Sequence, residues 1–217
     1  MNKNIKAFLG DYYHPREPLE NAVREAIKTL TNVTMEVNNF TENTIKNAID
    51  SNPSLIIIGG ENRLNPTDAK IHLWLTSAID ANLENYVANG GNLLVLHSGI
   101  ASYPTNSLYR KMVKGHFVSH PPEHVEVKYS SVRSDYPLVV EDFSVLDEFY
   151  VIEVDEDETN VFLKSFSEEF GVGYGGWGHN YKKGKVLVVV PTHNENGLKN
   201  SENIKLYRDA IISLIGE

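Results

Sequence analysis

Short, almost wholly apolar runs alternate with segments of helical period through the first half of the chain, the trace that parallel strand–helix units leave in a sequence. Residues 5–9 predict a strand that stops at Gly10-Asp11. Residues 18–30 predict a helix with Leu19, Val23, Ala26, Ile27 and Leu30 on one face and Pro18 in its first turn, where a missing N–H costs little. A short strand at 34–37, a helix at 41–50 capped by Thr41, and a nearly all-apolar strand at 54–58 follow. The last of these fits a strand buried on both faces. A loop carrying Gly59-Gly60 and Pro66 leads into a long helical stretch whose latter part, 78–88, ends at Asn89-Gly90-Gly91; a further apolar strand spans 92–96. Right-handed crossovers between such units lay the strands parallel and collect ligand groups beyond their carboxyl ends.

The second half is less regular. Residues 125–129, 145–154 and 161–167 predict strands with polar alternation, partly antiparallel; 184–190 predicts another buried strand, and 202–215 an amphipathic closing helix. With no linker or repeat, one domain over 1–217 is expected. The acidic patch Asp155-Glu156-Asp157-Glu158 reads as a solvated turn.

Composition narrows the function classes. A formal charge of −9, without a strong cluster of basic residues, argues against a nucleic-acid groove or a membrane surface as partner. No apolar run approaches the ~20 residues of a spanning helix. The first residues lead straight into a strand without the apolar stretch of a signal peptide, so a cytoplasmic protein is expected. The chain has no cysteine, which excludes disulfides, thiolate nucleophiles and cysteine–zinc sites together.

Four polar clusters follow predicted strands: Asp11-Tyr12-Tyr13-His14, Gly59-Gly60-Glu61-Asn62, His97-Ser98-Gly99 and His193-Asn194-Glu195. Their convergence matters more than any one of them. The strand before His97-Ser98-Gly99 suggests the sharp elbow on which hydrolases mount a nucleophile. Class I glutamine amidotransferases carry cysteine there and complete a triad with a later His-x-Glu pair. This chain has the pair as His193 and Glu195 but holds His97 at the elbow, so thioester chemistry is excluded. Ser98 would serve as nucleophile only if His193 reached its hydroxyl, and Leu96 stands where the serine motif wants glycine. His116, His120 and His124 are spaced as a helical metal face would be, but Pro121 and Pro122 interrupt any such helix. A site joining one of them to His97 and His193 stays open. Asp147-Glu148-Phe149-Tyr150 reads as strand, with at most one of its two carboxylates facing a given pocket. Tyr174 to His179 reads as a glycine-flanked aromatic loop, whose Trp177 is either a sugar platform or a core or lid residue.

These residues together resemble the trehalose-utilisation (ThuA-like) family. The likeness runs through Gly10 to His14, Tyr86-Val87 with Gly90-Gly91, Leu94 to Gly99, Tyr109-Arg110, Gly115-His116-Phe117 with His120-Pro121, Asp147 to Tyr150, Trp177, Tyr181 to Val186, and His193. The resemblance implies an α/β, flavodoxin-like or class I glutamine amidotransferase-like three-layer fold, with a mainly parallel central sheet and some antiparallel strands in the second half. It also implies a role in disaccharide utilisation, with keto-sugars as a substrate class, and a polar pocket of His97, His120, Glu148, Tyr150 and His193. The chain departs from the family pattern in having Lys185 where arginine is frequent and Thr192 in place of glycine before His193.

The expectation is therefore a sugar-directed protein using His97 and His193 for proton transfer, with Glu195 orienting His193 and Glu148 or His120 as a further acid, base or metal ligand. Asp11, Tyr12, His14, Ser98, His120, Tyr150 and Trp177 are the expected substrate contacts. A non-catalytic carbohydrate-binding or regulatory protein is the alternative. No cofactor is required; a divalent metal and a homo-oligomer are left open.

Overall fold

The computed structural model describes residues 2–132 and 138–216. Nine strands form one sheet in the order β2-β1-β3-β4-β11-β10-β9-β6-β7. Its parallel half consists of β2 (Val33–Asn38), β1 (Lys3–Leu9), β3 (Leu55–Gly59), β4 (Asn92–Leu96) and β11 (Gly184–Val189). Antiparallel pairing then adds β10 (Gly171–Tyr181), β9 (Asn160–Ser167), β6 (Val125–Ser131) and β7 (Phe143–Asp147). The expected α/β architecture, with its parallel first half and antiparallel additions, is what the chain adopts.

The apolar runs explain the layering. Successive strand residues face opposite sides of a sheet, and here both sides are covered. Leu55, Ile57, Leu94, Leu96, Leu187 and Val189 enter one core, beneath helices α1 (Arg16–Ile27) and α6 (Ser201–Ile215). Ile56, Ile58, Leu93, Val95, Val186 and Val188 enter the other, with residues of α2 (Glu42–Asp50), α3 (Ser77–Ala88) and α4 (Leu108–Val113). The Thr41 side chain caps α2 by accepting from Thr44 N, and Thr44 returns the bond in a capping box.

Three sequence expectations change. The long helix after Pro66 is confined to α3; residues before it form an irregular loop with one bridge, Arg63 to Leu73. The strand expected over 145–154 is two: β7 in the main sheet, and β8 (Val151–Val154) paired with β5 (Gly115–Ser119) in a separate two-stranded sheet. The aromatic loop around Trp177 is strand β10. His116 lies in β5, so the three histidines at 116, 120 and 124 share no helix.

On β10, His179 is buried and its Nε2 lies 2.9 Å from the Met112 carbonyl, which must accept; Nδ1 has no partner among the described residues. Burial, aided by Lys114, pulls its pKa down to about 4, against weaker opposing effects of the Met112 carbonyl and Glu158. An unfolded chain takes up this proton near pH 6.5. Its contribution to stability is thus complete above pH 6.5 and is lost as pH falls towards 4, by up to about 3 kcal/mol. Urea unfolding at pH 7 and pH 4.5 should show this loss, and His179→Gln should shrink the difference between the two; an equal loss in both proteins would remove His179 from the account.

Candidate functional site

The parallel strands end at one edge, in register: Leu9 pairs with Gly59, and Val189 with Leu96. The segments leaving β1, β3, β4 and β11 therefore emerge side by side. Asp11 ties three of them together. Its Oδ1 accepts from Tyr13 N at 2.9 Å and His14 N at 3.0 Å and lies 2.8 Å from His14 Nδ1. Its Oδ2 accepts from Glu61 N at 2.9 Å and from Ser98 Oγ at 2.6 Å. Burial alone would raise the Asp11 pKa; bonding from His14 and Ser98 outweighs it and holds the carboxyl well below the usual range.

His97 opens a short 3-10 turn, His97–Ile100, directly after β4, with its backbone in the left-handed region at φ +41°. A non-glycine residue there is strained, a feature concentrated at functional sites. Gly99 makes the elbow's close approach: a Cβ on it would lie 2.5 Å from the Ile58 carbonyl oxygen. The imidazole is buried and stacks on Tyr150, with ring centroids 4.3 Å apart. Its Nδ1 lies 2.8 Å from the Val190 carbonyl. A carbonyl can only accept, so the proton sits on Nδ1 and Nε2 carries a bare lone pair. That Nε2 has no hydrogen-bond partner among the described residues and lies 4.0 Å from Glu148 Oε2. Burial first, then neighbouring His14 and His193, push the His97 pKa down to about 3, so the ring is neutral.

His193 follows β11. Its Nδ1 lies 2.8 Å from Asp147 Oδ1 and 3.7 Å from Glu148 Oε2. Asp147 ends β7, fully buried, and also accepts from Thr192 Oγ1 and, at 3.2 Å, from His193 N. Burial would lower the His193 pKa, but contact with Asp147 wins and raises it; the Asp147 carboxyl, which burial would raise, is lowered by the same partner. Imidazole centroids of His14, His97 and His193 lie 4.9–5.2 Å apart. One ligand atom from each, together with one from Glu148, fall within 4.8 Å of one another, so these four residues could hold a cation.

Beside this group lies a cavity of about 440 Å³, whose lining includes Tyr13, His14, Arg63, His120, Glu148 and Tyr150. The volume is in the range of small-molecule sites. His120 Nε2 stands 3.6 Å from Glu148 Oε1.

Of the residues expected from sequence, Asp11, His14, His97, Ser98, His120, Glu148, Tyr150 and His193 are brought together. Three are placed elsewhere. Glu195 is exposed in α5 (Glu195–Leu198) and pairs with Lys199 one turn on, so it does not orient His193; Asp147 does. Trp177 is wholly buried and donates from Nε1 to the Val113 carbonyl at 2.9 Å, so its ring is core and not a sugar platform. Tyr12 is exposed, and its neighbour Tyr13 lines the cavity instead. Ser98 gives its hydroxyl proton to Asp11 and is not engaged by His193. Asp147 and Glu61 stand in polar segments that the sequence singles out, but it assigns neither a role; Glu61 is buried and accepts from Arg63 Nε at 2.8 Å and Ser102 Oγ at 2.7 Å. Among the described residues no helix is long and apolar enough to cross a membrane.

A mostly parallel α/β sheet covered on both faces carries, at its carboxyl edge, a strained imidazole elbow and converging polar loops with no thiol among them. The profile of the ThuA family, described as trehalose utilisation, matches residues 13–212, and the chain belongs to that family. Solved structures with similar folds include a ThuA-like protein of Parabacteroides merdae, with a TM-score of 0.76 and 10% identity, covering 100% of this chain and 91% of that one. A ThuA-like protein of Bacteroides uniformis gives 0.71 and 15%, covering 98% and 91%. A β-galactosidase of Bacillus circulans gives 0.67 and 11%, covering 99% of this chain but only 31% of the larger enzyme. No curated protein matches the sequence.

Proposed function

We propose that the protein acts on a sugar or keto-sugar in disaccharide, trehalose-type utilisation, through histidine-based acid–base chemistry at this cluster, and not as a glutamine amidotransferase. The observation that carries the reading is the bare Nε2 of His97, buried, held by its Nδ1 bond and aimed towards Glu148 beside a cavity lined by polar side chains. His97 offers the proton acceptor. His193, gripped by Asp147, offers the donor on the other side, and Glu148 lies between them. The carbohydrate class comes from family membership.

The absence of any cysteine favours a second reading, a sugar-binding or regulatory protein on the same frame. The two part on turnover. His97→Asn keeps a side chain tolerant of left-handed backbone and removes the imidazole. Turnover of a keto-disaccharide should fall by about 10²–10⁴-fold in that variant, with the circular dichroism spectrum unchanged. Undiminished turnover would end the role of His97; saturable sugar binding with no chemical change by the wild type would select the binding reading.

A further inference from the structure

The bonding around each imidazole of the cluster has a consequence separate from proton transfer. His97 presents Nδ1 to a backbone carbonyl and His14 presents Nδ1 to the Asp11 carboxylate, each in a 2.8 Å hydrogen bond, while His193 Nδ1 stands 2.8 Å from the Asp147 carboxylate as an ion-pair contact without hydrogen-bond geometry. Metal-ligating histidines are held in this way, one ring nitrogen on a carbonyl or carboxylate so that the other is fixed as a lone-pair donor. Three such rings from three different strand ends, facing one another with centroids 4.9–5.2 Å apart, are costly to keep together for packing alone. Bonds of the His97 Nδ1 side and burial leave its Nε2 unpartnered in the middle of them, and a buried polar atom without a partner is an energetic liability unless something binds it.

We propose that His14, His97, His193 and Glu148 form a site for one divalent transition-metal cation of the zinc class. Three imidazoles and one carboxylate suit such ions, whereas magnesium and calcium prefer all-oxygen shells. One ring nitrogen from each histidine and one Glu148 oxygen lie within 4.8 Å of each other. A tetrahedral zinc ion with bonds of ~2.0–2.2 Å holds its ligand atoms about 3.4 Å apart, so the widest pair of the cluster needs to draw in by up to about 1.4 Å. His14 and Glu148 also line the cavity, which places the cation where a substrate carbonyl or hydroxyl oxygen could reach it. Asp11 and Asp147 then act as positioning residues for the rings of His14 and His193. The inference rests on the same site as the proposed function but is tested without its substrate: a bound cation would take up the His97 Nε2 lone pair, and the ion in place of the free imidazole would then polarise a sugar oxygen.

The test needs no sugar. Metal-stripped full-length protein is titrated with cobalt(II) chloride and read by its visible ligand-field absorption, then competed with zinc. One equivalent of cobalt should bind with the intense absorption of a low-coordinate site and be displaced by zinc. Glu148→Gln and His14→Gln, both close in size to the native residues, should weaken binding by on the order of 100-fold, and Asp147→Asn by about 10–100-fold. A wild-type protein that develops no stoichiometric absorption overturns the proposal, and so does wild-type affinity in both Glu148→Gln and His14→Gln. Failure of the sugar reading is distinguishable, because cobalt binding without any keto-sugar turnover would leave the metal site standing alone.

Discussion

Asp147→Asn should lower turnover of a keto-sugar substrate by on the order of 10³-fold, in kcat more than in KM, whereas Glu195→Gln should leave it unchanged. Asp147 is fully buried, and its carboxylate meets His193 Nδ1 at 2.8 Å while accepting from the backbone of Glu148 at 2.9 Å and of His193 at 3.2 Å. An amide of the same shape has one oxygen, so it keeps only one of the two backbone bonds, that from Glu148 N to Oδ1 or that from His193 N to Oδ2. It cannot favour a positively charged ring, and turned the other way it offers N–H where His193 needs an acceptor. The imidazole is then free to adopt the wrong tautomer, the loss that makes a triad aspartate worth several powers of ten. Glu195 is exposed and bound to Lys199, so its amide should have nothing to disturb. The paired assay decides between the two carboxylates: equal losses, or a loss confined to Glu195→Gln, would return the orienting role to the sequence-based assignment. Unfolding curves alongside separate a kinetic effect from a destabilised fold.

The source of that misassignment is physical. Glu195 follows His193 at the spacing of the amidotransferase pair, but Asn194 caps a helical turn there, its side chain accepting from Gly197 N, and the chain turns Glu195 outwards. Asp147 has no role in the sequence reading because residues 145–154 alternate like one strand, in which neighbours point apart and only Glu148 or Asp147 can face a pocket. The strand instead stops at Asp147, and the chain crosses to a second sheet, so both carboxylates come within 4 Å of His193. A break of that kind depends on which sheet each half pairs with, and local pattern does not encode it. By contrast, the apolar runs that became β3, β4 and β11 were readable because burial on both faces leaves no polar alternation. Once those strands are parallel, His97 and His193 must share an edge, so half of the cluster follows from topology alone. Strand β10 was hidden by its glycines, which depress local strand signal. Pairing with β9 on one side and β11 on the other overrides that weakness.

Within β10, Trp177→Ala should cost about 3–5 kcal/mol of stability. The ring is wholly buried and its Nε1 donates to the Val113 carbonyl at 2.9 Å. It fills the space beside Gly115 so closely that a Cβ on that glycine would lie 2.3 Å from Trp177 Cζ2. Truncation therefore opens a cavity at the junction of α4, β5 and the main sheet, and leaves the Val113 carbonyl without its donor. For a chain of this length the loss corresponds to a fall in Tm of roughly 6–20 °C. Trp177→Phe, which keeps most of the packing and loses the bond, should fall between the variant and the wild type. Neither substitution should alter the affinity of the folded fraction for a sugar, since the ring faces α4 and not the cavity lined by His14, Glu148 and Tyr150. Thermal unfolding and sugar titration on the same samples make the distinction: wild-type stability with abolished sugar binding would put the indole on the ligand after all.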